Sequence, residues 1–414
     1  MTIHFDLAIT HCGEVLTLSG ASKHPKRGRT LSELSLIQKG VVGISKGKIA
    51  WIGTQKSYQQ TCSAKKEINA GGAVVMPAFV DPHTHTVFSG SRESEWFQKL
   101  SGRPYLEILK TGGGILKTVQ QTRAASPQKL FKGAQKVLNQ MAAHGTTTLE
   151  IKSGYGLNLK EETKILNVIG RLKKESPLDI VPTYLGAHVF PKLGQSNRKA
   201  YLAEAIETLT QIKNKAVFCD VFCEENAFSL SETRQILEAA KKLGFQLKLH
   251  AGQFSDLGGV ALAITLQATS VDHLDVIKKR DITKLAASNT IGILLPGVSH
   301  FLNANKHAPA RALIDQGVAV ALATDFNPGS SPCFSMQHII HLAVLNLKMT
   351  PAEAISAATI NAAHAIGLSE KTGSIEVGKQ ADLIILNIEH YEQLPYFFGV
   401  NHVRTVIKKG KVLL

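Results

Sequence analysis

The sequence has no apolar run long enough to cross a bilayer as a helix, which removes helical membrane proteins from the expected classes. Its first residues, Met1-Thr-Ile-His-Phe-Asp6, lack a basic region followed by an apolar one, so no secretory signal is expected. Cysteine is sparse, with five in 414 residues: Cys12, Cys62, Cys219, Cys223 and Cys333. An odd number without a signal speaks against a disulfide framework and for a reducing compartment, the cytoplasm. Acidic residues are few beside basic ones, 32 against 47, for a formal net charge of +15. That excess would suit nucleic acid, but the basic residues are dispersed, many on expected helices (Lys173, Lys174, Lys241, Lys242). The densest group, Lys23, Lys26, Arg27 and Arg29, falls in a Pro- and Gly-containing segment that reads as a solvated loop. No zinc-finger or RNA-recognition signature accompanies it. A basic surface that attracts a small anionic metabolite is therefore expected, with neither nucleic acid nor membrane as partner. Repeats, heptads and low-complexity tracts are also missing.

What remains is an ordinary globular composition, 44% apolar and 19% charged, with length enough for a large core. Short strands are expected near the start, at Phe5–Thr10, Glu14–Thr17, Gly40–Ser45 and Lys48–Ile52. They are expected again near the end, at 373–380, 381–386 and Val403–Val412. This pattern predicts one small β-sandwich domain built from both termini, residues 1–73 and 369–414. Over 74–368, apolar or β-branched runs alternate with helical stretches. The runs are Val74–Asp81, Thr146–Ile151, Asp179–Leu185, Val217–Phe222, Gln246–Leu249, Thr269–Val271, Thr290–Leu295 and Val318–Ala323. The helices are Lys129–Ala143, Lys160–Lys174, Arg198–Lys213, Ser231–Leu243, Gly259–Thr265, Arg280–Ala287 and Ala308–Gln316. Such alternation predicts parallel βαβ units, and eight of them predict an α/β fold of the closed (β/α)8 TIM-like barrel type. Residues 340–366 read as further helices of the barrel wall. The first connection, 86–128, is long, holds Arg92, Trp96 and Gly112-Gly113-Gly114, and is expected to carry function. No Gly-Lys-Ser/Thr closes the glycine run, so a turn or lid hinge is expected there and not a phosphate loop.

In such a barrel, functional groups stand at the C-terminal ends of the strands. His83 and His85 follow the first run. Alone, the pair is compatible with ordinary surface histidines, but residues i and i+2 of an extended chain share a face and can meet one ion. Lys152 and Tyr155 follow the second run, His188 the third, and Cys223 and Glu224 the fourth. His250 follows the fifth, His273 the sixth and Asp325 the eighth. Imidazole and carboxylate donors suit zinc or iron, and His83, His85, His250 and Asp325 are the expected ligands. Asp325 ends a buried run, where an unpaired carboxylate would be costly. Lys152 is expected to be structural or part of a hydrogen-bond network. Cys219 and Cys223, on one face of a strand, are expected to be buried thiols rather than ligands.

Six stretches together resemble the amidohydrolase superfamily: Val80-Asp-Pro-His-Thr-His85, Glu150-Ile-Lys-Ser-Gly-Tyr-Gly156, Tyr184-Leu-Gly-Ala-His188, Leu249-His-Ala-Gly-Gln-Phe254, Val271-Asp-His273 and Thr324-Asp-Phe-Asn-Pro-Gly-Ser330. The first, and Asp325, belong to the superfamily at large. The second, third and last are similar to its imidazolonepropionase family, and the likeness covers essentially the whole chain. The resemblance implies a barrel of the metal-dependent hydrolase type. It also implies hydrolysis of 4-imidazolone-5-propanoate to N-formimidoyl-L-glutamate, a step of L-histidine degradation. The alternative is another amidohydrolase, one that opens a different cyclic amide or deaminates a heterocycle. Related two-metal barrels carry a modified lysine on strand four; its absence here implies one zinc or iron ion per subunit. By motif position, Arg92, Tyr155, His188, Gln253, Asn327, Gly329 and Ser330 would line the substrate site. Gln253 stands where some relatives carry Glu, and could only hydrogen-bond. Asp325 would take the proton of the attacking water and pass it to the leaving ring nitrogen. His273 would orient the water or stabilise the oxyanion, His188 would hold or polarise the ring, and Arg92 would grip the propanoate. Barrels of this kind often pair, so a homodimer is expected.

Overall fold

The computed structural model describes residues 2–102, 113–191 and 198–413; Gly112, the first of the three glycines named above, lies outside them. Eight strands form the central sheet: β1 (Phe79–Asp81), β2 (Thr146–Lys152), β3 (Asp179–Ala187), β4 (Phe218–Cys223), β5 (Gln246–Ala251), β6 (Ser270–His273), β7 (Ile291–Leu294) and β8 (Val320–Leu322). Each pairs in parallel with the next, in chain order. The last meets the first just beyond their ends. There Asp325 N–H donates to His83 O at 3.0 Å and His85 N–H donates to Phe326 O at 2.9 Å. Helices Pro127–Ala143, Leu159–Glu175, Arg198–Ile212, Leu230–Lys242, Gly259–Leu266, Lys279–Ala286 and Ala310–Asp315 stand between successive strands. This is the TIM-like barrel that the alternation of runs predicts. Several of the helices start on local signals. Asn158 and Ser229 cap theirs by accepting from Glu161 N and Glu232 N, and Ser229 with Glu232 closes a capping box.

The run Val74–Asp81 is two strands rather than one. Val74–Pro77 pairs antiparallel with Leu383–Leu386 and parallel with Glu14–Leu16, in a six-stranded sheet outside the barrel. The chain changes sheets between adjacent residues: Ala78 N–H donates to Asp382 O, and Phe79 N–H to Gly145 O. Both halves are buried, which is why the run reads as continuous. The six-stranded sheet thus joins strands from near both ends of the chain. It shares an apolar core (Val15, Val75, Ile385) with a four-stranded sheet that supplies Ile9, Val42 and Ile44. Among its described residues, the first connection carries the helices Glu93–Leu100 and Ile115–Ala124, which the runs do not reveal. Among the described residues, no helix is long and apolar enough to cross a membrane.

Strand alternation decides what reaches the interior. In β2, Leu149 and Ile151 pack in the apolar layer shared with the helices, and in β5 so do Leu247 and Leu249. The intervening residues, Glu150 and Lys152, Lys248 and His250, point to the opposite face, into the barrel. Cys219 and Cys223 of β4 are free thiols on the helix-facing side, so Asp220 between them points inward. Burial pushes both thiols up from their usual range, and they take no part in the site.

Candidate metal centre and active site

His83 and His85 lie in the extended stretch after β1, with Thr84 bridged to Phe326. Their rings are 5.3 Å apart, and the ring of His250, from β5, is 4.5 Å from that of His83. Asp325 follows β8 in a left-handed backbone conformation, φ 47°, and its Oδ1 lies 3.2 Å from His85 Nε2 and 3.4 Å from His83 Nε2. His273 ends β6, also left-handed at φ 83°, with its ring 5.3 Å from that of His250. Non-glycine residues rarely hold such conformations without a surrounding structure that imposes them.

The histidines are held from behind. His83 Nδ1 lies 2.6 Å from Asp272 Oδ2, and His250 Nδ1 lies 3.1 Å from Asp220 Oδ1. Burial pushes both carboxyls up, but the groups around them outweigh it. His250 and Lys152 hold Asp220 well below the usual range, and Lys248, His83 and Lys152 do the same to Asp272. Ionised acceptors place the proton of each imidazole on Nδ1 and leave Nε2 with its lone pair. His83 Nε2, His250 Nε2 and Asp325 Oδ1 are buried and have no hydrogen-bond partner. Burial and the Lys152 charge push His83 down, yet Asp325 and Asp272 carry it to about 9, so beside Asp325 its Nε2 favours a positive partner, a proton or a cation in the proton's place. Burial brings His85 down to about 4 and His273 to about 3, so both are neutral donors of lone pairs.

Buried lone pairs and a carboxylate turned on one another fit a bound metal ion. Among the described residues, three sets bring ligand atoms within 4.8 Å of one another: His83, His85 and Asp325; His83, His250 and His273; and Asp220, His250 and Asp272. His83 is common to the first two, which together contain all four expected ligands. His273, expected only near the reacting atoms, belongs to the second set as well.

The remaining site residues divide. Tyr155 and His188 join the histidines: the ring of His188 stacks on His85 at 5.2 Å, and that of Tyr155 lies 5.7 Å from His188. The Tyr155 loop is built by Glu162, which accepts from the N–H groups of Gly154, Gly156 and Leu157. Gly154 sits at φ 117°, and a Cβ there would meet Leu185 O at 2.9 Å and His188 Nδ1 at 3.0 Å, so only glycine fits. His188 Nδ1 lies 3.1 Å from Gly154 O, and burial holds the ring well below the usual histidine range. A neutral ring that donates from Nδ1 presents Nε2 as an acceptor.

Arg92 is not free. Its Nε donates to Glu95 Oε2 at 3.0 Å, and the same oxygen accepts from Gly114 N–H at 2.9 Å. Its guanidinium lies against Gly329, where a Cβ would come within 2.2 Å of Nη1. Arg92, Trp96, Phe301, Phe326, Asn327 and Gly329 help to line a cavity of about 400 Å3, and none of the site histidines lines it. The polar groups of the loop after β8 bond to one another. Asn327 donates to Asp325 O and to Ser330 Oγ, and its Oδ1 accepts from the N–H groups of Gly329 and Ser330. The loop spends these groups on its own turn and thereby braces Asp325. Gln253 is half-buried on the loop after β5. Glu224 holds that loop, accepting from Phe254 N–H and from the Ser255 hydroxyl. Reading strand ends alone misses Asp220, Asp272, Glu150 and Lys248. For Glu150, Lys248 and Asp272 the signal is a charged residue two before, or directly beside, a strand-end group; Asp220 is three before Cys223 and carries no such spacing.

The profile of the Amidohydrolase family matches residues 74–413. Imidazolonepropionase of Alkaliphilus oremlandii is 44% identical over 417 aligned residues, covering 100% of this chain and 99% of that protein. Imidazolonepropionase of Bacillus cytotoxicus is 45% identical over 409 residues, covering 98% of this chain and 96% of that protein. Among solved structures, an adenosine deaminase from Xanthomonas campestris with bound zinc superposes with a TM-score of 0.75 at 19% identity, covering 100% of this chain and 94% of that one. Guanine deaminase of E. coli does so at 0.69 and 15%, covering 98% and 99%. Likeness at that identity concerns the fold. The full-length identity to the first two proteins reaches further: the chain belongs to the amidohydrolase family, in its imidazolonepropionase branch.

Proposed function

We propose that the chain hydrolyses the cyclic amide C–N bond of 4-imidazolone-5-propanoate to give N-formimidoyl-L-glutamate, in L-histidine degradation. The observation that carries this reading is identity of 44% over the full chain to an imidazolonepropionase. The unpartnered Nε2 atoms and carboxylate oxygen at the strand ends support it. His83, His85, His250 and Asp325 would hold one zinc or iron ion per subunit. Such an ion, when bound, supplies Lewis-acid polarisation and a water acidic near neutral pH.

The chain's own groups then have distinct tasks. Asp325 accepts the proton of the attacking water and returns it to the leaving ring nitrogen. His273 orients that water or steadies the developing oxyanion. His188, with its acceptor Nε2, takes a hydrogen bond from a ring N–H. Arg92 binds the propanoate through the guanidinium edge that Glu95 leaves open, with Tyr155 beside the ring. Gln253 hydrogen-bonds only, and Asn327, Gly329 and Ser330 form the site's wall. On the same reading, the protein works as a cytoplasmic homodimer without nucleic acid. The chain divides into a catalytic barrel, 74–368, and a small β domain of residues 1–73 with 369–414. The free cysteines suit that compartment.

Loss of the ultraviolet absorbance of 4-imidazolone-5-propanoate, followed together with metal analysis of the same protein, tests the reaction. Turnover that tracks bound zinc or iron is expected. Normal turnover by metal-free protein, or none by loaded protein, sinks the reading.

A further inference from the structure

Beneath the strand-end groups lies a layer that this reading does not use. Lys152 Nζ is 2.7 Å from Asp220 Oδ2, 2.8 Å from Glu150 Oε2 and 3.8 Å from Asp272 Oδ2, and every one of these side chains is fully buried. Asp220 and Asp272 are the residues that hold Nδ1 of His250 and of His83. Asp220, His250 and Asp272 bring ligand atoms within 4.8 Å of one another, a set able to hold a cation, and the Lys152 ammonium already stands beside both carboxylates. A second buried lysine, Lys248, acts on Asp272 through its charge but contacts neither Asp272 nor Asp220: its hydrogen bonds go to Glu150 Oε2 at 3.0 Å and to Pro82 O at 2.8 Å.

We propose that Lys152 is a positioning residue for the metal centre: its ammonium fixes Asp220 and Asp272 together, and through them aims Nε2 of His250 and of His83 at one point. The assignment rests on the reading of those histidines as ligands. Three buried carboxylates this close repel one another in a medium that screens charge weakly. One ammonium, bonded to Asp220 and 3.8 Å from Asp272, offsets that repulsion and keeps the two together, while the Ser270 hydroxyl holds the other oxygen of Asp272 at 2.7 Å. Without it, Asp220 and Asp272 turn apart and the imidazoles turn with them. Partners of this kind, behind the ligands, set ligand orientation and hence metal affinity.

The test is the Zn2+ affinity of apoprotein, measured by competition with a chromophoric chelator, for wild type, Lys152→Met and Lys248→Met. Lys152→Met should weaken binding about 10- to 100-fold, whereas Lys248→Met, which removes an equally buried ammonium from the same glutamate, should weaken it less than about threefold. A buried charge left unpaired can prevent folding. The double variant Lys152→Met/Glu150→Gln therefore removes a cation and an anion together, and it should show the same loss of affinity. Folded Lys152→Met protein that binds Zn2+ like wild type, or equal losses in the two lysine variants, would overturn the assignment. Wild-type protein that takes up neither Zn2+ nor iron would instead remove the metal reading beneath it.

Discussion

The Nδ1 of His83 lies 2.6 Å from the Oδ2 of Asp272, with both side chains fully buried. The two are far apart in sequence, one just past β1 and the other in β6, yet the contact fixes which nitrogen of His83 faces Asp325. The same device recurs at His250 with Asp220. The centre is therefore built in two layers: strand-end donors above, and carboxylates with their lysines below. The upper layer gives the chemistry its atoms, and the lower one gives those atoms a direction.

Asp272→Asn tests the lower layer at one point. An amide can offer His83 Nδ1 either an oxygen or an NH2 group, so the tautomer and ring angle are no longer set. Metal affinity should fall about 10- to 100-fold with the fold retained. Chelator competition measures the first and circular dichroism the second. Wild-type affinity in a folded variant would show that Asp272 does not orient His83.

Asp325→Asn separates proton transfer from metal retention. The three histidines remain, but the amide cannot accept the proton of the attacking water. Turnover should fall about 100- to 10,000-fold, the span for loss of a general base. Metal content at saturating Zn2+, measured alongside, must remain near that of wild type for the comparison to hold. Wild-type kcat in metal-loaded variant would end the assignment of Asp325 as base.

The eight strands were legible because each is a short buried run between helical stretches, and the strand-end groups because chemistry in such a barrel gathers there. The limits of that reading are as physical. Val74–Asp81 looks like one strand because burial on both sides hides the point at which it passes from one sheet to another. Asp220 sits between two cysteines and Lys248 between two leucines, so neither breaks an apolar run enough to stand out. Their partners come from other strands, and distance in space is not written along the chain. The Asn327 turn shows a further limit: the sequence names polar groups but not whether they are already satisfied by one another.

Arg92 gives a test of substrate binding in two steps. Arg92→Ala removes a charge-assisted grip worth about 1.5–3 kcal/mol, so KM should rise about 10- to 100-fold while kcat changes little. Gly329→Ala puts a Cβ within 2.2 Å of Arg92 Nη1 and should displace the guanidinium. It should raise KM in the same direction with metal content intact. An unchanged KM in Arg92→Ala would remove Arg92 as the carboxylate anchor.

The last prediction concerns stability and lies away from the metal. Asp179, at the start of β3, accepts from Lys408 at 2.8 Å and from Lys409 at 2.7 Å, which ties the barrel to the strand Val403–Lys408. Burial pushes the Asp179 carboxyl up, but the two lysines outweigh it and hold it at about 2, below the ordinary 3.8. A carboxyl depressed in the folded state adds stability that is complete above its unfolded value and is lost as pH falls through the folded one. The contribution, on the order of 2 kcal/mol, should therefore be present at pH 7 and fade between about pH 4 and pH 2. Thermal unfolding of wild type and Asp179→Asn across that range measures it. The variant should melt lower at pH 7, with the gap closing in acid. Equal melting temperatures at pH 7 would mean that the lysines gain nothing from Asp179 that they do not also have in the unfolded chain.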